Sequence, residues 1–308
     1  MHREALSFLL AFLLAAIVIE PFKRFQRKKK IGQYIREEGP DLHNYKTGTP
    51  TAAGIVFLPI ALAISVIFAF RIEVLLVVLT GVLFGLIGLV DDVSKIVKKN
   101  ASGLSGKKKL LLQLAFASAM VLVIQVINPH THMAFPLLGE IDFGLAYYPI
   151  STVVIAGMSN AVNLADGVDG LAGSMYIFSL APMMLLPVWQ NGIIAPICGA
   201  LAGFLWHNWF PATVFMGDTG SISLGAMIAV MFALDGREGF LLFFGMMFLV
   251  EMFSVIIQVF SFKVFGKRVF RMSPIHHHFE LLNWKESKIA FRFSLIAFIG
   301  AVFGLLSW

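Results

Sequence analysis

The chain has 308 residues, 58% of them hydrophobic and only 14% charged, with a mean hydropathy of +0.83. Soluble domains carry about 25% charged residues, so this composition, set in long apolar runs, excludes an ordinary soluble domain and indicates an all-α, polytopic integral membrane protein. A single Cys198 excludes an internal disulfide, the apolar runs lack the strand alternation of an outer-membrane barrel, and the net charge of +6 must be read from its placement.

Apolar segments fall at roughly 5–22, 51–69, 74–90, 110–127, 148–164, 171–188, 192–209, 219–234, 240–262 and 289–307, which predicts about ten transmembrane helices. The basic cluster "KRFQRKKK" follows the first run rather than preceding it, so that run is expected to stay as a helix and not to be cleaved as a signal. With the N-terminus outside, the inner loops are 23–50, 91–109, 165–170, 210–218 and 263–288. Every Lys and Arg then lies in or beside them except Arg3, Arg71 and Arg237. The positive-inside rule therefore predicts both termini outside and these loops in the cytoplasm. The same placement explains the basic charge as a topological signal, and no nucleic-acid partner is expected. One transmembrane domain over 1–308 is predicted, its site built from the five inner loops.

Five aspartates from distant segments fall on that one face: Asp91 and Asp92 in "GLVDDVSK", Asp166 and Asp169 in "NLADGVDGLAG", and Asp218 in "FMGDTGS". Clustered carboxylates repel one another unless a cation or protons neutralise them. Oxygen ligands suit a hard divalent ion such as Mg2+. On a helix, Asp166 and Asp169 would share a face, while Asp91 and Asp92 would point about 100° apart and so do different work. Plainer readings stand beside these. Asp166, Asp169 or Asp218 could cap a helix. Asp91 and Asp92 are expected to end theirs, where the dipole disfavours an acid.

Lys46, in "YKTGTPTAAG", and Lys95, four residues after Asp91, are the basic groups best placed for phosphate; Lys107–Lys109 precede a helix. Carboxylates for a metal with lysines for phosphate are the parts of phosphoryl transfer. His276, His277 and His278 are adjacent, so their side chains diverge and do not converge on one metal ion. Hydrogen bonding to phosphate suits them better, against the alternative of an inert solvated loop. Glu251, with Ser254 and Gln258 on one stripe of the ninth helix, stays outside this scheme. "GVLFG" and "GALAG" allow close helix packing.

The strings "NYKTGTPTAAG", "GLVDDVSKIVKKNASGLSGKKKLLLQL", "NAVNLADGVDGLAG", "NWFPATVFMGDTGSISLGA" and "SPIHHHFELLNWKESKI" resemble the polyprenyl-phosphate N-acetylhexosamine-1-phosphate transferase superfamily. The unbroken "PIHHHFEL" looks like its muramoyl-pentapeptide branch; the sibling branch using UDP-N-acetylglucosamine usually interrupts the triplet. The resemblance implies ten helices in a bacterial inner membrane with the site on the cytoplasmic face. It implies transfer of phospho-N-acetylmuramoyl-pentapeptide from its UDP carrier to undecaprenyl phosphate, giving lipid I and UMP, with Mg2+. It matches Asp218 to a metal ligand, and Asp91 and Asp92 to an acidic pair that binds metal or lipid phosphate or acts as base. Asp166 and Asp169 match further acids, with Asn160 and Asn163 alongside. Phe215 matches an aromatic that packs on uracil, and Asn208 a nucleotide contact. Lys46, Lys95 and Lys107 match basic site residues, and His276, His277 and His278 the triplet. A homodimer is a further expectation. "TPTAAG" and Ala165 depart from the usual pattern without changing a charged group. A sibling transferase and, more distantly, an ion-coupled transporter are the alternatives.

Overall fold

A computed structural model describes residues 2–33, 46–100 and 102–308. Part of the first predicted inner loop, 34–45 with Arg36, lies outside the described residues. Each predicted apolar segment is helical: α1 His2–Lys28, α2 Gly54–Phe68, α3 Ile72–Lys98, α4 Gly106–Ile127, α5 Tyr147–Ala165, α6 Leu171–Leu180, α7 Asn191–Asn208 and α8 Gly217–Ala233. The ninth is broken at Gly245 into α9 Leu241–Phe244 and α10 Met246–Phe265. A short α11, Ile275–Glu280, forms on the histidine loop, and α12 is Glu286–Leu306.

Among the described residues, six helices are long and apolar enough to cross a bilayer: α1, α3, α4, α5 (counted with the turn at Gly144–Ala146), α10 and α12. The 15 residues of α2 and 17 of α8 span about 22 and 26 Å, short of a hydrocarbon core of about 30 Å. In α8 every residue from Thr219 to Ala233 is buried. A helix apolar on all sides belongs inside a bundle, and α8 is the central post here, packed by α2, α3, α4 and α5. Around it α1 lies on α7 and α2, and α12 on α6. A two-stranded hairpin, β1 His132–Phe135 and β2 Gly139–Asp142, caps the end where α4 finishes and α5 begins. It is held by Ala134 N–H donating to Gly236 O. Four-residue strands lack the length to show a period among the turn residues around them.

The glycine motifs serve packing inside the chain. Gly81 and Gly85 face Met227 and Ser223 of α8, and Gly199 and Gly203 face the α1 backbone. One turn past Gly85, Gly88 lies directly against the backbone of Asp218 and Thr219, where no Cβ fits. This contact sets how closely α3 approaches the start of α8. Gly88→Ala is expected to lower stability by about 1–3 kcal/mol, the usual range for overpacking. Gly106→Ala, which meets open space, should leave it unchanged or slightly raised. Thermal unfolding of both variants in detergent checks the pair.

Near the hairpin, Glu238 is buried and accepts a hydrogen bond from Ser151 Oγ at 3.0 Å. Burial pushes its pKa up to about 7 from an ordinary 4.5. The folded value lies above the unfolded one, so its contribution to stability is full below pH 4.5 and is lost as pH rises through about 7. The Tm of the wild type should fall between about pH 5 and about pH 8, and Glu238→Gln should flatten that fall.

Candidate active site

The helix carrying Asp91 and Asp92 does not end at them, contrary to the sequence expectation. It runs on to Lys98, with Lys99 as a left-handed cap at φ 51°. Lys95 Nζ lies 2.6 Å from Asp91 Oδ2, an i,i+4 pair that carries the helix past the acids, and Lys95 and Lys98 suit its C-terminal dipole. Asp91 stands 19 residues after Ile72, about 29 Å along the axis and so near the edge of a bilayer core.

The two neighbours do different work, as their angular separation predicts. Asp92 accepts from Asp218 N–H at 3.0 Å, from Thr219 N–H at 3.0 Å and from Thr219 Oγ1 at 2.7 Å. It therefore caps α8 from another helix. Asp91 Oδ1 accepts from Leu104 N–H at 2.7 Å, which brings Gly103 and Leu104 against this acid. Asp218 is not the cap of its own helix. Its carboxylate faces Lys95 at 3.0 Å and Lys109 at 2.6 Å. One oxygen each from Asp91, Asp92 and Asp218 lies within 4.8 Å of the others. Asn163 joins this group, accepting from Lys109 Nζ at 3.4 Å and donating to Ser221 Oγ at 2.9 Å.

Lys107 is exposed, and Lys109 is the member of that run which reaches the cluster. The signal was present in the sequence: Lys109 precedes Gln113, Ala117, Met120 and Ile124 on the buried stripe of α4, and Lys107 does not. Asn160, also expected at the site, donates to Gln113 Oε1 at 3.0 Å and ties α5 to α4.

Asp166 and Asp169 lie on a turn between α5 and α6, not together on one helical face. Gly170, at φ 75°, begins α6, so neither acid caps it. Asp166 is half-buried and looks toward the cluster. Burial, and then the charges of Asp218 and Asp92, hold its carboxyl well above the usual range. Asp169 turns the other way. Its Oδ1 is 2.6 Å from Lys46 Nζ and its Oδ2 accepts from Ala212 N–H at 2.8 Å. Lys46 is also 2.5 Å from Glu286, which accepts from Asp169 N–H at 2.9 Å. Burial raises the pKa of Asp169, and the Lys46 ammonium opposes it. Asn208 accepts from Gly170 N–H at 3.0 Å and donates to Val214 O at 2.8 Å. Phe215 is half-buried, its backbone bonded to Pro50 and Ala53. Lys46, Asp169 and Asn208 thus bolt the loops together around the cluster.

The three histidines have three different partners. His276 is buried with Nδ1 3.1 Å from Glu251 Oε2, His277 Nδ1 is 2.6 Å from Glu280, and His278 Nδ1 accepts from Arg271 N–H at 3.1 Å. The expected divergence does not hold for the first two, whose ring centroids are 4.1 Å apart. The stripe on α10 that the sequence left unassigned supports this loop. Gln258 accepts from Val269 and Phe270 N–H and donates to Phe270 O, while Glu251 meets His276. Ser254 bonds its own helix, at Glu251 O. Lys109, Thr219, Glu286 and Glu251 are the contributors that the sequence reading did not assign to the site.

Hard oxygen donors beside paired lysines, at one end of a helical membrane bundle, are groups that suit a divalent cation and phosphate, and the class of the protein is a membrane-embedded transferase, as its relatives show. Residues 74–236, more than half of the chain, match the family model described as glycosyl transferase family 4, and the chain belongs to that family. It is similar to the phospho-N-acetylmuramoyl-pentapeptide-transferase of Kosmotoga olearia, 55% identical over 100% of this chain and 99% of the relative. The proteins of that name from Thermotoga neapolitana and Bacillus thuringiensis are 44% and 42% identical, over 98% and 96% of this chain and 97% and 94% of theirs. The matched span holds all the cluster residues but not Lys46, Glu251 or the histidines.

Removing Lys46 would take away the ammonium that lies between Asp169 and Glu286. Lys46→Met is expected to lower stability by about 3–5 kcal/mol, the cost of breaking a buried pair from one side. Denaturant unfolding in detergent checks this; a loss under about 1 kcal/mol would count against the bolt.

Proposed function

We propose that this chain transfers phospho-N-acetylmuramoyl-pentapeptide from its UDP carrier to undecaprenyl phosphate, forming lipid I and releasing UMP for peptidoglycan synthesis. The observation that carries the reading is the grouping of Asp91, Asp92 and Asp218 within 4.8 Å, with Lys95 and Lys109 on Asp218. The names of the relatives support the substrate pair. The run of basic residues at the same end supports a cytoplasmic-facing site in the bacterial inner membrane.

The donor set is all carboxylate oxygen, which fits a hard divalent ion of the Mg2+ type. Asp218 and Asp91 would hold it, and when bound it supplies neutralising charge to the two phosphates of the UDP-sugar. Asp92 keeps its place by capping α8, so it fixes Asp218 rather than reacting. Lys95 and Lys109, paired to Asp218 in the free protein, turn toward the incoming phosphates. The lipid phosphate oxygen attacks the sugar-linked phosphorus. A new P–O bond forms, the bond to the bridging oxygen breaks, and UMP leaves with that electron pair. A phosphate monoester has its second pKa near about 6, so the acceptor is already ionised and no strong base is required. Phe215 would meet the uracil, on a loop that Asn208 holds through its bonds to Gly170 and Val214, while Asn163 steadies Lys109.

Purified protein in detergent, given undecaprenyl phosphate, Mg2+ and one UDP-sugar at a time, should release UMP from UDP-N-acetylmuramoyl-pentapeptide alone. EDTA or Asp218→Ala should abolish the release. Lys109→Ala is expected to lower turnover by about 100-fold or more, the scale for losing a transition-state donor, and Lys107→Ala by under about threefold. Release from UDP-N-acetylglucosamine instead would move the chain to the sibling activity, and silence with both would sink the reading.

A further inference from the structure

Glu251 and His276 are both fully buried, and each keeps one polar atom without a hydrogen-bond partner: Oε1 of the acid and Nε2 of the ring. The remaining atoms face each other. Glu251 Oε2 lies 3.1 Å from His276 Nδ1 and 3.4 Å from its backbone N–H. A buried polar atom left unmet carries a desolvation penalty, so packing alone gives no reason for this arrangement. The free edge of the ring has a direction. Nε2 rests on Gly167, where a side chain would overlap it, in the turn whose preceding residue, Asp166, looks toward Asp218 and Asp92. Gln258, two turns along the same face of α10, grips Val269 and Phe270 and so fixes where the histidine loop leaves the helix.

We propose that Glu251 is a positioning residue for His276. Its carboxylate accepts a hydrogen bond from Nδ1–H, and the pair turns the Nε2 edge onto Gly167, setting the 166–169 turn beside the cluster where a phosphate of the substrate binds. The acceptor oxygen matters as much as the shape of the side chain, because the hydrogen bond it takes from Nδ1 fixes the orientation of the ring. The inference rests on the phosphate-transfer reading for the identity of the group met, but the pairing itself does not.

Glu251→Gln keeps the size of the side chain and removes its charge. Its kcat is expected to fall by about ten- to 100-fold, the worth of one charge-assisted hydrogen bond, with KM for the UDP-sugar raised by about fivefold and Tm near that of the wild type. His276→Gln should lose a similar factor, and the double variant should be no worse than the more damaged single one. Inorganic pyrophosphate binding, measured by calorimetry, should weaken by about fivefold or more in both single variants; this readout needs no turnover and separates failure of the pairing from failure of the transferase reading. Wild-type kcat in Glu251→Gln, additive losses in the double variant, or unchanged pyrophosphate binding would overturn the proposal. Should Glu251→Gln fold poorly, His276→Gln alone decides through the same binding measurement.

Discussion

The contact between α3 and the first turn of α8 is the constraint on which the rest of the site depends. Two backbone N–H groups and a hydroxyl at the start of α8 would be unsatisfied donors, and Asp92 meets all three from the neighbouring helix. It does so only because Gly88, one turn earlier, lets the two backbones touch. That approach brings Asp91 and Asp218 together, and their charge draws in Lys95 and Lys109. By capping a neighbouring helix, one acid of the group thereby determines where the other two stand.

Charge balance follows from the same geometry. Three carboxylates and two ammonium groups gather in a space largely cut off from water, which leaves a deficit of positive charge. A hard divalent cation held there would correct that deficit. A second group, Lys46 with Asp169 and Glu286, shows the opposite design: every charged atom is committed to protein, and the group holds loops in place. Residues that look alike in sequence are divided between these two kinds of work.

Much of this was legible before any coordinates. Apolar run length located the helices, and the distribution of Lys and Arg placed the acids on one face. The i,i+4 spacing of Asp91 and Lys95 was visible but was not followed to its consequence, a helix that continues past the acids. Helical phase on α4 would have preferred Lys109 to Lys107, since two residues of separation turn a side chain nearly half-way round. Tertiary pairings were beyond reach. Nothing local in "NLADGVDG" tells that Asp166 faces the cluster while Asp169 turns to Lys46. Nor does the ninth apolar segment reveal that Glu251 meets a histidine 25 residues later.

The bolt between Lys46 and Glu286 joins positions 240 residues apart. A ribosome feeding this chain into a bilayer releases the lysine 240 residues before the glutamate. Until α12 arrives, Lys46 has no Glu286 and the turn bearing Asp166 and Asp169 lacks one of its anchors. The end of the bundle that carries the acids therefore closes only after α12 is made, and a chain inserted as far as α8 holds the acids without that wall.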